Sequence, residues 1–487
     1  MPLWTKKDLM TACKASDPTS SFLKSFDCIK GISIDDRTIK KGDLFIALIG
    51  DKFDGHNYLE TAILKGACGV LVSNIILAKK YNGLFVNDTK EALLQIGRFA
   101  RDRFNGITIG ITGSSGKTST NYLLSSSLKE FGKTHKTFEN NNNIIGLSLT
   151  LSRLPHNYDF CVLELGMNNT GEIRELTKIA KPNIALITNV SNSHIQNFKN
   201  EKDIAKAKSE IFFGLKKDGI AIINSDNIWK EFLITKAKKA NAKIHLYGFS
   251  KNSNTQIIQI IDEKEGSTIC YDEVKNWHLK YLNVTQAENA VAVVSVIKEL
   301  KLQPEKVKEV ISKLRPLSGR GEKLTINFNK SQKTFIIDDS YNANPASMKA
   351  ALYNFYQLRR KLHEFQAVVI IGDMLELGDN STQMHLELVP ILKKINPDLL
   401  LTVGYHSKKI KDQLKLTSNF HSYNKIDQLI KDFKKFIKPN QIILLKGSNG
   451  TGLWRLVPIF KNIIQENANA AWSFIKLYWL LPTSKFI

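Results

Sequence analysis

Short apolar runs alternate with amphipathic stretches through most of the chain, and their spacing sets the elements to expect. Runs of apolar or β-branched residues bounded by turn formers predict buried strands. Apolar residues three or four apart predict helices. Up to about residue 105 two such runs stand out, Leu44–Leu48 and Gly69–Val72, with the turn-rich DKFDGHN between them. From Ile107 the rhythm tightens. Strand Ile107–Thr112 is followed by a glycine- and serine-rich loop and the helical pattern NYLLSSSLKEF. Strand Phe160–Leu165, helix EIRELTKIA, strand Ile184–Thr188, helix DIAKAKSEIFFGL and strand Gly219–Asn224 come next. This is the βαβ rhythm of a parallel sheet flanked by helices. A third block opens around Leu317-Ser318-Gly319. Its strands are Thr334–Asp338, Ala367–Ile371, Leu399–Val403 and Gln441–Lys446, with helical stretches between them, again a doubly wound pattern. The fold class read from this is α/β, in blocks 1–105, 106–316 and 317–487. Two nucleotide-type blocks in one chain put the expected active site in a cleft between them.

Composition narrows the function. The 487 residues are 43% hydrophobic and 24% charged, an ordinary globular balance that excludes a disordered chain. The formal net charge of +23 admits two readings, phosphate binding along a nucleic acid or a lysine-rich surface. The cations are scattered in pairs such as Lys216-Lys217 and Lys238-Lys239, which fits solvated helix faces, so no nucleic-acid partner is expected. A positive field would still attract nucleotides. Five cysteines without a CxxC spacing argue against a disulfide framework and a structural zinc. The opening MPLWTKKDLM has no apolar signal region, and the late run Leu477–Leu481 is far short of the roughly 20 residues a membrane span needs. A cytoplasmic monomer without membrane insertion is the expectation.

The strongest local signal is Gly110-Ile-Thr-Gly113-Ser114-Ser115-Gly116-Lys117-Thr118-Ser119, set between a strand and a helix. Glycines let backbone amides approach phosphate oxygens, and the helix start adds its positive dipole end. Lys117 would reach the β/γ-phosphates of ATP, and the Thr118 hydroxyl would bind Mg²⁺. Position 111 is Ile where the strict motif has Gly, but the core G-x-x-G-K-T from Gly113 is intact.

Glu164 and His194 each sit just past a predicted strand, at the sheet edge where ligands bind. Glu164 is a hard oxygen ligand suited to Mg²⁺. Alone, His194 reads equally as an ordinary histidine. Farther on, Ala-Lys208-Ser-Glu210 reads either as a surface ion pair or as a lysine whose amine takes up CO₂ to become an anionic carbamate ligand.

Together these segments resemble the Mur ligase family, whose pattern runs G-[ST]-x-G-K-T, a strand glutamate, N-V-x-x-x-H and A-K-x-E. Asp338-Asp339-Ser-Tyr-Asn342-Ala-Asn344-Pro345-Ala-Ser347-Met348, and Gly372-Asp373-Met374-Leu375-Glu376-Leu377-Gly378 with His385, resemble the subfamily that adds D-alanyl-D-alanine to UDP-N-acetylmuramoyl-tripeptide. Ile34-Asp35-Asp36-Arg37, Gly42–Leu48 and Asp54-Gly55-His56 resemble its UDP-sugar-binding domain. The resemblance spans about 30–455 of the sequence.

It implies an N-terminal UDP-sugar-binding domain, a central P-loop ATPase-type domain and a C-terminal Rossmann-like domain. It implies ATP and two Mg²⁺, one held by Thr118 and Glu164, the other by His194 and a carbamylated Lys208. Asn289, Arg320 and Asp339 then match nucleotide-site positions. Asn140–Asn143, with Asn142 and Asn143 foremost, match a substrate loop, beside Asp35, Arg37, Asp54 and His56. Asn342 and Asn344 fall to the dipeptide, although Asn and Pro are also ordinary turn residues. Lys117, Lys208, His194 and Arg320 would carry the chemistry, an acyl-phosphate ligation. Departures stand where the family's G-R-H-N-x-x-N reads Asn283-Val-Thr285-Gln286-Ala-Glu-Asn289, where a loop Gly is Glu139, and where K-G-S-R ends in Asn449. The rivals are a sibling ligase or a folylpolyglutamate synthase, which the YNANP stretch disfavours, and a nucleotide-regulated scaffold without ligation.

Overall fold

Both early apolar runs form strands, Gly69–Val72 as read from the sequence and Leu44–Leu48 as the shorter Asp43–Ile46. The structure is a computed structural model describing residues 3–20, 29–138, 140–191, 195–198, 200–263, 266–272, 274–329, 331–414 and 419–466. They gather into two units, Met1–Val190 with Lys202–Ile257 and Asn289–Ile311, and Ser191–Glu201 with Ile258–Glu288 and Ser312–Ile487.

In the first unit, β1 (Gly31–Ser33), β2 (Asp43–Ile46), β3 (Gly69–Val72) and β4 (Leu84–Phe85) form a parallel sheet in that order. The DKFDGHN segment between β2 and β3 makes part of a small hairpin, Ile49–Gly50 against Phe53–Asp54. Helix α1 (Thr89–Asp102) starts at Asp88, whose side chain accepts the Lys90 and Glu91 amides, two of the donors a helix start leaves orphaned. Its apolar stripe, Leu93, Ile96 and Ala100, is fully buried. Burying a leucine or isoleucine side chain stabilises by about 1.5–3 kcal/mol.

The chain then alternates strictly: β5 (Ile107–Thr112), α2 (Lys117–Leu128), β6 (Thr134–Lys136), α3 (Ile144–Ser152), β7 (Phe160–Glu164), α4 (Glu172–Ala180), β8 (Ile184–Ile187), α5 (Glu201–Ser209), β9 (Ile220–Asn224), β10 (Lys243–Gly248). These strands form a parallel sheet in the order β10-β9-β8-β5-β7-β6. A strand followed by a helix and a neighbouring parallel strand puts every loop of interest at the carboxyl edge.

Helices α1 and α3 pack closely, because position 97 is glycine: a Cβ there would stand 2.9 Å from Ser148 Cα. Two further contacts sew the start of the chain to this layer. The Trp4 indole N–H donates to the Ser152 carbonyl at 2.8 Å. The buried Arg101 guanidinium donates to the carbonyls of Ala180, Phe104 and Lys181. One expected helix is cut short. Residues after Ser209 tighten into a 3₁₀ turn, Glu210–Gly214, in which Glu210 caps the start of α4 by accepting the Gly171 and Arg174 amides.

In the second unit, β14 (Glu322–Asn327), β15 (Lys333–Asp339), β16 (Gln366–Gly372), β17 (Leu399–Val403), β18 (Phe420–Tyr423) and β19 (Gln441–Lys446) follow the hairpin β12 (Ser267–Tyr271)–β13 (Val274–Leu279) in the chain; Thr255–Asp262, β11, precedes it. The sheet order is β14-β15-β19-β16-β17-β18, parallel except for the β14–β15 edge pair. Helix α6 (Val284–Glu299) lies between the hairpin and this sheet in sequence, and α7 (Pro345–Lys361) connects β15 to β16. Among the described residues no helix is long and apolar enough to cross a membrane.

Candidate active site

Strand β5 ends at Thr112, and the chain turns through Gly113-Ser114-Ser115-Gly116 into α2. Gly116 has φ +82°, the left-handed region, and a Cβ on it would stand 2.8 Å from Asn289 Oδ1. Glycine is therefore required twice over, by the turn and by Asn289 pressed against it. The loop is braced by the end of β8. Asn189 Oδ1 accepts the Ser115 amide at 2.9 Å, its Nδ2 donates to Ser115 Oγ at 2.6 Å, and Thr188 Oγ1 donates to the Ser115 carbonyl at 2.6 Å. The sequence reading missed this brace, although Thr188-Asn189 open the very segment quoted for His194. Lys117 Nζ donates to the Gly113 carbonyl at 2.7 Å, folded back over the loop. Ser119 follows in the first turn of α2.

Glu164, at the end of β7, is 2% exposed. Thr118 Oγ1 donates to its Oε2 at 2.8 Å, so the two expected metal ligands meet. Asn142, expected against substrate, instead donates from Nδ2 to Glu164 Oε1 at 2.9 Å. Its neighbour Asn143 caps α3 by accepting the Gly146 amide. Lys208 lies on α5 and is 2% exposed, which removes the surface-pair reading; Glu210 is committed to α4 as described. Burial, and then the positive charge of Lys117, hold the Lys208 amine well below the ordinary lysine value. No carboxylate pairs with Lys208 among the described residues. His194 and Glu139 lie outside the described residues.

The first unit also holds a cleft of about 1670 Å³. Asp35, Arg37 and Phe53 line it from the first block, and Phe138, Asn141 and Arg153 from the second. Asp35 and Arg37 pair in a fork, Nη2 to Oδ2 at 2.7 Å and Nε to Oδ1 at 2.9 Å. The guanidinium holds the Asp35 carboxyl below the usual carboxylate range. Asp54 and His56 are not on this wall. His56 Nε2 accepts the Ser73 amide at 3.0 Å, so the proton sits on Nδ1 and is donated to Asp54 Oδ1 at 2.6 Å. They form a clip holding the turn after the hairpin to the end of β3.

In the second unit another group gathers at the carboxyl ends of β15 and β19. Lys446 Nζ, buried, pairs with Asp339 Oδ2 at 2.7 Å and donates to the Asn342 carbonyl at 3.0 Å. Asp338 accepts the Gly319 and Ser340 amides and shapes the turn before Arg320. The Arg320 guanidinium lies 4.0 Å from the centre of the Tyr341 ring. Asn344 is the cap of α7: its Oδ1 accepts the Ser347 amide at 2.8 Å, while Ser347 Oγ accepts the Asn344 amide at 3.0 Å. Asn342, exposed, turns its Oδ1 onto the Ala343 amide. His385 is buried and neutral in form, donating to the Ser381 carbonyl and accepting the Met374 amide.

This geometry fits the outcome of comparison with known proteins. The family model described as Mur ligase middle domain matches residues 111–297, Mur ligase, glutamate ligase domain matches 319–449, and Mur ligase family, catalytic domain matches 28–99. A relative from Rickettsia prowazekii named UDP-N-acetylmuramoyl-tripeptide–D-alanyl-D-alanine ligase is 34% identical over 88% of this chain and 95% of its own length. The chain is a Mur ligase. Its family makes peptidoglycan precursors by ATP-dependent ligation, forming C–N bonds. An Escherichia coli relative of the same name is 30% identical over 94% of this chain and 99% of its own. The solved structure of MurF from Acinetobacter baumannii superposes with a TM-score of 0.78 at 26% identity, covering 95% of this chain and 99% of that one.

This Mur ligase accommodates one departure from the family pattern visibly. Gln286 Oε1 accepts the Asn283 amide, Asn283 Oδ1 accepts the Gln286 amide, and Gln286 Nε2 donates to the Arg320 carbonyl at 2.6 Å. Gln286 therefore closes the start of α6 and ties it to the loop that carries Arg320.

Proposed function

We propose that this Mur ligase joins D-alanyl-D-alanine to UDP-N-acetylmuramoyl-tripeptide in the cytoplasm, with residues 1–105 serving the UDP-muramoyl peptide, 106–316 ATP and 317–487 the dipeptide. The observation that carries the reading is the Thr118–Glu164 pair at the head of a braced phosphate loop, in a chain whose full-length relatives bear that name. A carboxylate resists attack by an amine at neutral pH, so it must first be activated as an acyl phosphate. Gly113–Ser119 offer backbone amides and Lys117 a mobile charge to the phosphates. Lys117 would leave the Gly113 carbonyl and follow the transferring phosphoryl group, where charge builds in the transition state. Asn289, Arg320 and Asp339 would serve the nucleotide, and Asn342 and Asn344 the dipeptide, whose amine attacks the acyl carbon and displaces phosphate.

The donors present fit Mg²⁺: a carboxylate and a hydroxyl already 2.8 Å apart are both hard oxygen ligands. Thr118 and Glu164 would hold one ion, with His194 and Lys208 at a second. When bound, Mg²⁺ would neutralise charge on phosphoryl oxygens. Lys208 supports the carbamate reading because its amine is buried, has no carboxylate partner among the described residues, and is held well below the ordinary lysine value by that burial, which favours the neutral form. Its lone pair can attack CO₂, losing a proton and leaving an anionic oxygen donor.

The test is release of ADP and phosphate by the purified chain. Release is expected only when ATP, UDP-N-acetylmuramoyl-tripeptide and D-alanyl-D-alanine are all present, with a product heavier by the dipeptide. Nucleotide binding with no ligation across a panel of UDP-muramoyl peptides would instead favour the scaffold reading.

A further inference from the structure

Glu164 is gripped by the same loop that walls the cleft. Thr137 Oγ1 accepts the Glu164 backbone N–H at 2.9 Å. Asn142 Nδ2 donates to Glu164 Oε1 at 2.9 Å, and the Asn142 carbonyl accepts the Gly166 amide at 2.9 Å. Between these anchors lie Phe138 and Asn141, which line the cleft of about 1670 Å³; Phe138 is 60% exposed. A ligand filling that cleft would touch Phe138 and Asn141. Any shift it imposes reaches Asn142 one residue on, and from there the carboxylate. On the other side Glu164 Oε2 is held by Thr118, so both oxygens have partners and neither is free to reorient without one of them giving way.

We propose that Asn142 is a positioning residue through which occupancy of the cleft sets the orientation of Glu164, and with it the affinity for the divalent cation. The proposal rests on the reading of Thr118 and Glu164 as cation ligands and of the cleft as the UDP-peptide site. Groups that orient a metal ligand typically change metal affinity about 10–100-fold when removed. Coupling of this kind is reciprocal: a cleft ligand that tightens the cation is itself tightened by it, typically by about five-fold or more.

The test uses the full chain with saturating ADP and Mn²⁺ as a paramagnetic stand-in for Mg²⁺, titrated by electron paramagnetic resonance with and without UDP-N-acetylmuramoyl-tripeptide. Binding of the UDP-peptide is measured separately by calorimetry. In the wild type the UDP-peptide is expected to shift the Mn²⁺ Kd about five-fold or more. Asn142→Ala is expected to weaken Mn²⁺ about ten-fold and to reduce the shift to less than about two-fold. Asn142→Ser, which keeps a donor, should recover part of both. Should Asn142→Ala not fold, Asn142→Asp, isosteric but repelling Glu164, carries the same expectation. A variant that retains the wild-type shift overturns the proposal, as does a wild type that binds both ligands with no shift at all; either leaves the proposed function standing. A wild type that does not bind the UDP-peptide overturns the proposed function and the coupling together.

Discussion

Lys117 and Lys208 have opposite electrostatic surroundings within one site. Lys117 sits partly exposed on a loop; burial, and then the charge of Lys117, hold the Lys208 amine well below the ordinary lysine value. In the proposed mechanism, removing Lys117 takes one charge from the transferring phosphoryl group. Lys117→Ala should lower kcat at least about 100-fold with little change in Tm, and near-normal turnover would detach the loop from the chemistry. Lys208 makes a stability prediction. A lysine whose folded pKa is lowered binds fewer protons folded than unfolded, so the wild type gains stability as pH rises toward 10.5, its ordinary value. Lys208→Met should remove that slope and be the more stable protein at pH near 7 in CO₂-free buffer, while losing ligation. Urea midpoints at several pH values check it, and parallel wild-type and variant curves would count against a neutral Lys208. The role of Lys117 could be read from five neighbouring letters. The burial of Lys208 could not, because it depends on how α5 packs under a loop some 90 residues earlier in the chain.

At the scale of elements, Asn344 combines two readings the sequence left open. Its oxygen is the cap of a 17-residue helix, so Asn344→Ala should cost about 1 kcal/mol by loss of the cap. Asn344→Asp keeps an accepting oxygen but removes the amide donors, so it should keep stability. If the amide also serves the dipeptide, both variants should raise its KM, Asn344→Asp without loss of stability; unchanged kinetics in both would leave Asn344 as a cap. The strand pattern was legible because a strand buried on both faces in a parallel sheet writes a continuous apolar run, as at Ile443–Leu445 and Val368–Ile371. Less legible were the ends of helices, such as Glu210–Gly214, where a carboxylate serving another helix overrode local periodicity. Asp54 and His56 show a related limit: the resemblance marked them for substrate, and their role as a clip beside β3 could not be read from the letters.

For the whole molecule, the first 105 residues are less self-contained than their composition suggests. Trp4, Arg101 and the side of α1 that carries Gly97 find partners in residues 148–181. A fragment ending at residue 105 would uncover the side of α1 that carries Gly97 and leave Arg101 without two of its three carbonyls. It should therefore bind a hydrophobic dye and lack a cooperative thermal transition, whereas a fragment ending at Val190 should melt cooperatively. A sharp transition in the shorter piece would show that the α1–α3 contact is dispensable. The same stitching has a consequence during synthesis. At about 5–20 residues per second, Lys181 is made about 4–16 s after Arg101. Until these residues emerge the indole of Trp4 lacks its acceptor, Arg101 lacks two of its three, and the side of α1 that carries Gly97 is uncovered on the ribosome. The first block of this ligase thus waits for the second, and in that interval a nascent-chain chaperone would find its binding surface.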